Sequence, residues 1–215
     1  MTISVYFDLD GTLLEYTRPF DELFAEVVPA GIDVTDAMTN TYGNQLLAAL
    51  DDLAADPFER AFSAVVQKYD VPGDPAVLAD EFVRMEVDAT RISDPVRRLV
   101  ELVAQNHNAG VLTNGDGRTQ RRKLEAHGLD DVVDSVVVST EVGARKPSPE
   151  IFEHAKAALP AETFVYVGDT FEEDVVPARE QGFETVYVGD DHGPEATLTV
   201  TDTEDLAAVL GALLE

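Results

Sequence analysis

The chain has 215 residues, enough for one main domain with a small accessory lobe and too few for two full-sized independent domains. It contains no cysteine, which excludes disulfides, thiolate metal sites and a cysteine nucleophile. With 42 acidic residues against 15 basic ones the formal charge is -27, which disfavours nucleic acid and anionic membrane as partners.

Ile3 to Phe7 is a short β-rich run that ends in Asp8-Leu9-Asp10-Gly11-Thr12. Gly11 permits a turn there, so a first strand delivers two carboxylates to a loop. From this point to Asp94 no convincing strand appears, a gap far longer than an ordinary connection between a strand and its helix. Helical patterns at Phe20–Val28, Met38–Leu53, Phe58–Tyr69 and Ala76–Val87 predict instead an inserted helical lobe over residues 16–89, with Gly43 a candidate break. Asp56-Pro57, Asp74-Pro75, Asp94-Pro95 and Ser148-Pro149 each read as an N-cap followed by proline in the first helical position.

After Asp94, Val96, Leu99, Val100 and Val103 fall at i, i+3, i+4 and i+7, and Leu206, Val209, Leu210 and Leu213 repeat that spacing. Both helices therefore have one buried face. Further β-rich runs at Gly110–Thr113, Val136–Ser139, Phe164–Val167 and Thr185–Val188 alternate with helices. Such alternation predicts an α/β core of residues 1–15 and 90–215, with a mainly parallel sheet covered on both faces and ligands at the carboxyl ends of its strands. No basic stretch precedes the first apolar run, which Asp8 and Asp10 interrupt early, and no later apolar segment is long enough to span a bilayer. The expectation is an unanchored cytoplasmic protein whose acidity is a surface adaptation to a salt-loaded cytoplasm.

In so acidic a chain Asp8-x-Asp10 alone carries little weight and could be a turn cluster. Its context is what distinguishes it: the pair closes an apolar strand and is followed by Gly-Thr. Phe-Asp-Leu-Asp-Gly-Thr-Leu at 7–13 resembles the first motif of the haloacid dehalogenase superfamily. Val-Leu-Thr-Asn-Gly at 111–115 resembles the second, Arg-Lys-Pro at 145–147 the third and Gly-Asp-Thr-Phe-Glu-Glu-Asp at 168–174 the fourth, all in the superfamily's order. The helical insertion resembles its C1 cap, and the resemblance implies a Rossmann-like parallel sheet.

The resemblance implies a Mg²⁺-dependent phosphatase acting on a small phosphomonoester, with Asp8 as nucleophile and an aspartyl-phosphate intermediate. A carboxylate attacks a phosphate ester only when cations neutralise the phosphoryl oxygens, and Mg²⁺ takes oxygen ligands while keeping several waters. The implied metal ligands are the Asp8 carboxylate, the Asp10 backbone carbonyl and Asp169, with Asp174 holding a metal-bound water or orienting Lys146. Asp10 protonates the leaving alkoxide and then activates water. The Thr113 hydroxyl and the Asn114 backbone amide bind phosphoryl oxygens, and Lys146 neutralises phosphate charge and fixes Asp8. The plainer readings are a strand-ending hydroxyl for Thr113 and a surface lysine for Lys146.

Arg121-Arg122-Lys123 reads as a solvated, salt-bridged helical face. The four histidines lack metal-ligand spacing, and His127 before Gly128 reads as a helix C-terminus. In the lobe, Tyr16, Arg18, Arg60, Lys68 and Arg84 can reach an anionic substrate, although surface or packing roles are the simpler reading of each. An acid at Asp10 favours phosphoryl transfer over dehalogenation, whose halide leaves without a proton. A β-phosphoglucomutase-like phosphomutase is the enzymatic rival and a receiver-like phospho-aspartate switch the non-enzymatic one. Phosphonate cleavage ranks low, since Lys68 is the lobe's one lysine. Cap closure is expected to hinge near Glu15–Arg18 and Ala89–Ser93.

Overall fold

The structure, a computed structural model, describes residues 2–189, 196–201, 205–206 and 210. In chain order the elements are β1 (Ile3–Phe7), β2 (Glu15–Tyr16), α1 (Phe20–Val27), α2 (Asp36–Asp51), α3 (Pro57–Tyr69), α4 (Pro75–Asp88), β3 (Thr90–Arg91) and α5 (Asp94–Asn106). They continue with β4 (Asn108–Thr113), α6 (Gly117–Ala126), β5 (Ser135–Val138), α7 (Ser139–Val142), α8 (Pro149–Ala158) and β6 (Thr163–Gly168). A π-helical turn (Phe171–Val175) then runs into α9 (Val176–Glu180), followed by β7 (Glu184–Val188) and β8 (Leu198–Val200).

Six strands form one parallel sheet in the order β5-β4-β1-β6-β7-β8. Numbered among themselves along the chain, they lie 3-2-1-4-5-6, the doubly wound Rossmann order. The winding reverses between β1 and β6, where Phe7 faces Val167, and the crevice beyond that switch point is where such sheets bind ligands. β1 is buried along its whole length, as its unbroken apolar run requires of a central parallel strand. Its alternate residues feed two cores. Ile3, Val5 and Phe7 pack with the α5 stripe Val96, Leu99, Val100 and Val103, while Tyr6 packs with Ile151, Phe152 and Ala155 of α8 on the opposite face. The buried exception, Ser4, donates to Leu159 O at 2.9 Å and accepts from Asn108 Nδ2 at 3.0 Å.

Helices α1 to α4 enclose a separate aromatic core, in which the Tyr42 ring lies 4.5 Å from Phe62 and 4.9 Å from Phe24, centroid to centroid. The chain enters and leaves this lobe through β2 and β3, an antiparallel ribbon with Tyr16 opposite Thr90. Among the described residues no helix is long and apolar enough to cross a membrane.

Several local expectations need correction. Gly43 does not break α2, which runs through it with open space beside its Cα. The cap of α5 is Ser93, whose hydroxyl accepts from Val96 N at 3.4 Å, so Asp94 already lies in the first turn. Asp74 caps α4 by accepting from Ala76 N, but Asp56 and Ser148 make no side-chain cap bond. Ser139 opens α7 instead of ending β5. Leu206 and Leu210 are helical and buried in the core, whereas Val209 and Leu213 lie outside the described residues.

Candidate active site

The Asp8 N–H donates to Val167 O at 2.8 Å, extending the β1–β6 pairing by one residue and fixing where the carboxylate emerges. The chain then turns tightly, with Leu13 and Leu14 both donating to Leu9 O. Gly11 sits at φ 91, and a Cβ built there would lie 2.3 Å from Asp169 Oδ2. Glycine therefore serves both the turn and the close approach of Asp169. β6 ends at Gly168, whose missing side chain leaves room for Asp174 from the π-helical turn.

These elements bring together what the sequence scatters. Oxygens of Asp8, Asp169 and Asp174 lie within 4.8 Å of one another. Beside them Lys146 Nζ donates to Asp8 Oδ1 at 2.7 Å, Asp174 Oδ1 at 2.5 Å and the Tyr166 hydroxyl at 2.9 Å, so all three of its protons are engaged. The Tyr166 hydroxyl lies 3.0 Å from both Leu112 O and Asp174 Oδ1. Asn114 clamps the Lys146 backbone, accepting from its N–H at 2.9 Å and donating to its carbonyl at 3.1 Å.

Burial pushes the Asp8 carboxyl up to about 8; Lys146 opposes the shift, and the charges of Asp174 and Asp169 add to it. Asp169 is also raised, by burial first and by Asp174 second. Burial alone would lower the Lys146 ammonium, but Asp8 and Asp174 outweigh it and hold the proton on. Asp8 and Asp169, raised in proton affinity and crowded by Asp174, form with it a site short of positive charge, and an all-oxygen donor set of this kind suits a hard divalent cation. Asp8, Asp169 and Asp174 fit that requirement.

The Asp10 side chain stays outside this cluster. Lys123 Nζ donates to its two oxygens at 2.9 and 3.1 Å, and Gln120 Nε2 donates to Oδ2 at 2.7 Å. Gln120 also reaches the buried Thr113 hydroxyl at 2.9 Å, and that hydroxyl contacts Asn114 O at 3.1 Å. Lys123 is thus not part of a solvated face; it is 1% exposed. The helical period places Gln120, Lys123 and Leu124 on the buried side of α6, while Arg121 turns outward to Glu141, its Nε 2.6 Å from Oε1.

Lys123 also contacts Glu86 Oε1 at 2.8 Å and the Tyr16 hydroxyl at 2.7 Å, and that hydroxyl donates to Glu86 Oε1 at 2.9 Å. Burial would lower the Lys123 ammonium, but Glu86 and Asp10 raise it further than burial lowers it. Lys123, Gln120, Glu86 and Tyr166 are the residues that sequence reasoning missed. The one available signal was the spacing of Gln120 and Lys123, which puts two polar residues on the inner side of an amphipathic helix.

A cavity of about 390 Å³ opens between lobe and core, with Asp10, Asn114 and Lys123 on one wall and Phe20, Leu46 and Phe58 on the other. Of the five lobe candidates, Tyr16 and Arg18 line it, whereas Arg60, Lys68 and Arg84 do not. Arg18 is paired with Glu26 at 2.5 Å. Arg84 is paired with Glu81 and Asp88, and Lys68 donates to Thr41 Oγ1. Lobe and core are further joined by the ion pairs Arg118–Asp80, at 2.7 Å, and Arg145–Asp51.

Residues 4–182 match the family model described as haloacid dehalogenase-like hydrolase. The chain is 28% identical over 198 residues to a glyceraldehyde 3-phosphate phosphatase of Methanocaldococcus jannaschii, covering 87% of this chain and 85% of that one. It is 34% identical over 140 residues to a ribulose-1,5-bisphosphate 5-phosphatase of Halopiger xanaduensis, covering 64% and 57%. Among solved structures, magnesium-bound YfnB of Bacillus subtilis superposes with a TM-score of 0.75 at 22% identity, covering 98% of this chain and 99% of its own. A family match across most of the chain, on a sheet of this order, shows that the chain belongs to the haloacid dehalogenase-like hydrolases.

Proposed function

We propose that the chain is a Mg²⁺-dependent phosphatase that hydrolyses a small phosphomonoester through phosphorylation of Asp8. The observation that carries this reading is the pairing of two differently surrounded carboxylates two residues apart. Asp8 sits in the acidic cluster against Lys146, and Asp10 faces the cavity on Lys123 and Gln120. That difference in surroundings supports a nucleophile at Asp8 and a proton carrier at Asp10.

Bound by Asp8, Asp169 and the Asp10 carbonyl, with Asp174 beside them, Mg²⁺ would neutralise phosphoryl charge that otherwise repels the nucleophile. Lys146 holds Asp8 at a fixed angle and adds a second positive charge. An Asp8 oxygen forms the new bond to phosphorus as the ester oxygen departs, taking a proton from Asp10. Water then attacks the phosphorylated Asp8, giving its proton to Asp10 and regenerating both carboxyl groups. Thr113 and the Asn114 amide flank the phosphoryl group, and Asn114 keeps Lys146 in place through its side chain. Residues 16–89 act as the cap, closing on the core to exclude water. The named activities of the two phosphatase relatives support a small phosphorylated metabolite as substrate. The acidic surface and the absence of a long apolar helix among the described residues support a cytoplasmic protein adapted to salt.

The test is hydrolysis of p-nitrophenyl phosphate in molar KCl, with and without Mg²⁺. Phosphate release that needs Mg²⁺ and disappears in Asp8→Asn is the expected result. Release that survives that substitution would remove Asp8 from the mechanism.

A further inference from the structure

The cavity also carries information about the half of the substrate that leaves. Its lobe wall is apolar, formed by Phe20, Leu23, Leu46, Leu50 and Phe58. Its charged residues are already committed to one another. Lys123 is shared among Asp10, Glu86 and Tyr16, and Arg18 is held by Glu22 and Glu26. Asp116 adds a further acid to the lining. A second anionic group on the substrate would therefore meet carboxylates and find no uncommitted cation among the described lining residues.

One atom in this wall is unsatisfied. Glu86 lines the cavity and is 6% exposed; its Oε1 accepts from Lys123 and Tyr16, but its Oε2 is buried without a donor among the described residues. A buried carboxylate oxygen left bare is costly, and the cost disappears when an O–H or N–H reaches it. Glu86 and Asp10 touch the same ammonium and line the same cavity, so the Glu86 carboxylate shares the wall with the group that hands the leaving oxygen its proton.

Building on the phosphatase reading, we infer that the leaving alcohol is uncharged and carries a hydrogen-bond donor near the ester oxygen, with an apolar body against the lobe wall. Glu86 is then a specificity residue that accepts from this donor. The other buried side-chain atom without a partner among the described residues is the Tyr42 hydroxyl, and a water shared between it and Glu86 would satisfy both with no part for substrate. That arrangement predicts no preference for a hydroxyl.

The experiment compares kcat/KM for 2-hydroxypropyl phosphate, propyl phosphate and phosphoglycolate, using the full chain with Mg²⁺, its Asp8→Asn variant as the blank, and Glu86→Gln. The expected result is a preference of about tenfold or more for the hydroxylated ester over propyl phosphate, the range for a hydrogen bond to a charged acceptor. That ratio should shrink severalfold in Glu86→Gln, and phosphoglycolate should be the poorest of the three. A native ratio near one, an unchanged ratio in an active Glu86→Gln, or preference for phosphoglycolate overturns the inference and leaves the phosphatase reading standing. Should Glu86→Gln not fold, the native comparison decides alone. No Asp8-dependent release from any ester overturns both.

Discussion

Asp8 has an ordinary value of 3.8 and is pushed to about 8 by its buried, acid-crowded surroundings, so without a cation the fold favours its protonated form. The sign follows from linkage. This contribution to stability is full below the ordinary value and is lost as pH rises through the folded one, so the metal-free protein weakens over that window. A divalent cation needs the deprotonated carboxylate and gains as the proton leaves. Raising the pH from about 6 to about 8 should therefore enlarge the increase in Tm produced by saturating Mg²⁺. Calorimetry at the two pH values checks it, and an equal increase would show that Asp8 does not titrate there. At this scale the sequence reveals the residues that end apolar strands, Asp8 and Asp169, because strand and turn fix their position locally. Lys123 escapes it. Its partner Asp10 is 113 positions away, and a lysine beside two arginines on a helix reads as solvated until the fold supplies that partner.

At the level of elements, one ammonium joins α6 of the core to the acid loop after β1, to β2 and to α4 of the lobe. Removing it leaves the buried Glu86 and the half-buried Asp10 without their cation, each with one neutral donor, so Lys123→Met should cost about 3 kcal/mol in stability. It should also lower kcat by misplacing Asp10, by about tenfold or more for an alkyl phosphate whose departure needs a proton. The loss should be smaller with p-nitrophenyl phosphate, whose leaving group departs unaided. Denaturant unfolding and the two kcat ratios check this, and equal losses with both esters would assign Lys123 a purely structural role. The longer helices were legible because several turns repeat an apolar stripe. β2, β3 and β8 were not, since two or three residues carry no period and their pairing depends on distant partners.

For the molecule as a whole, 15 basic residues cannot neutralise 42 acidic ones however they pair. Pairs such as Arg84 with Glu81 and Arg91 with Glu15 are exposed and stabilise little on their own. Self-repulsion among the remaining acids is a long-range term that salt shortens, from a screening length of about 10 Å at 0.1 M to about 3 Å at 1 M. Tm should accordingly rise between dilute buffer and molar KCl. A thermal scan in KCl and in an equal osmolarity of sucrose separates screening from general exclusion, and a Tm that rises only in sucrose would refute the electrostatic account. A parallel sheet covered on both faces followed from alternation of strands and helices, and its Rossmann-like character from the resemblance of the motifs. The side-chain contacts between lobe and core did not follow, because they rest on residues such as Glu86 whose partners the sequence does not identify.

The two-residue ribbon of β2 and β3 has an evolutionary implication. Because Tyr16 and Thr90 lie side by side, the intervening helices, with an aromatic core of their own, are attached to the sheet as a cassette whose two ends meet. Exchanging such a cassette need not disturb the strands that carry Asp8 and Asp169. A lineage can then reshape the cavity by trading or altering one insert while keeping the strands that carry Asp8 and Asp169, provided the new insert still holds Lys123 in place.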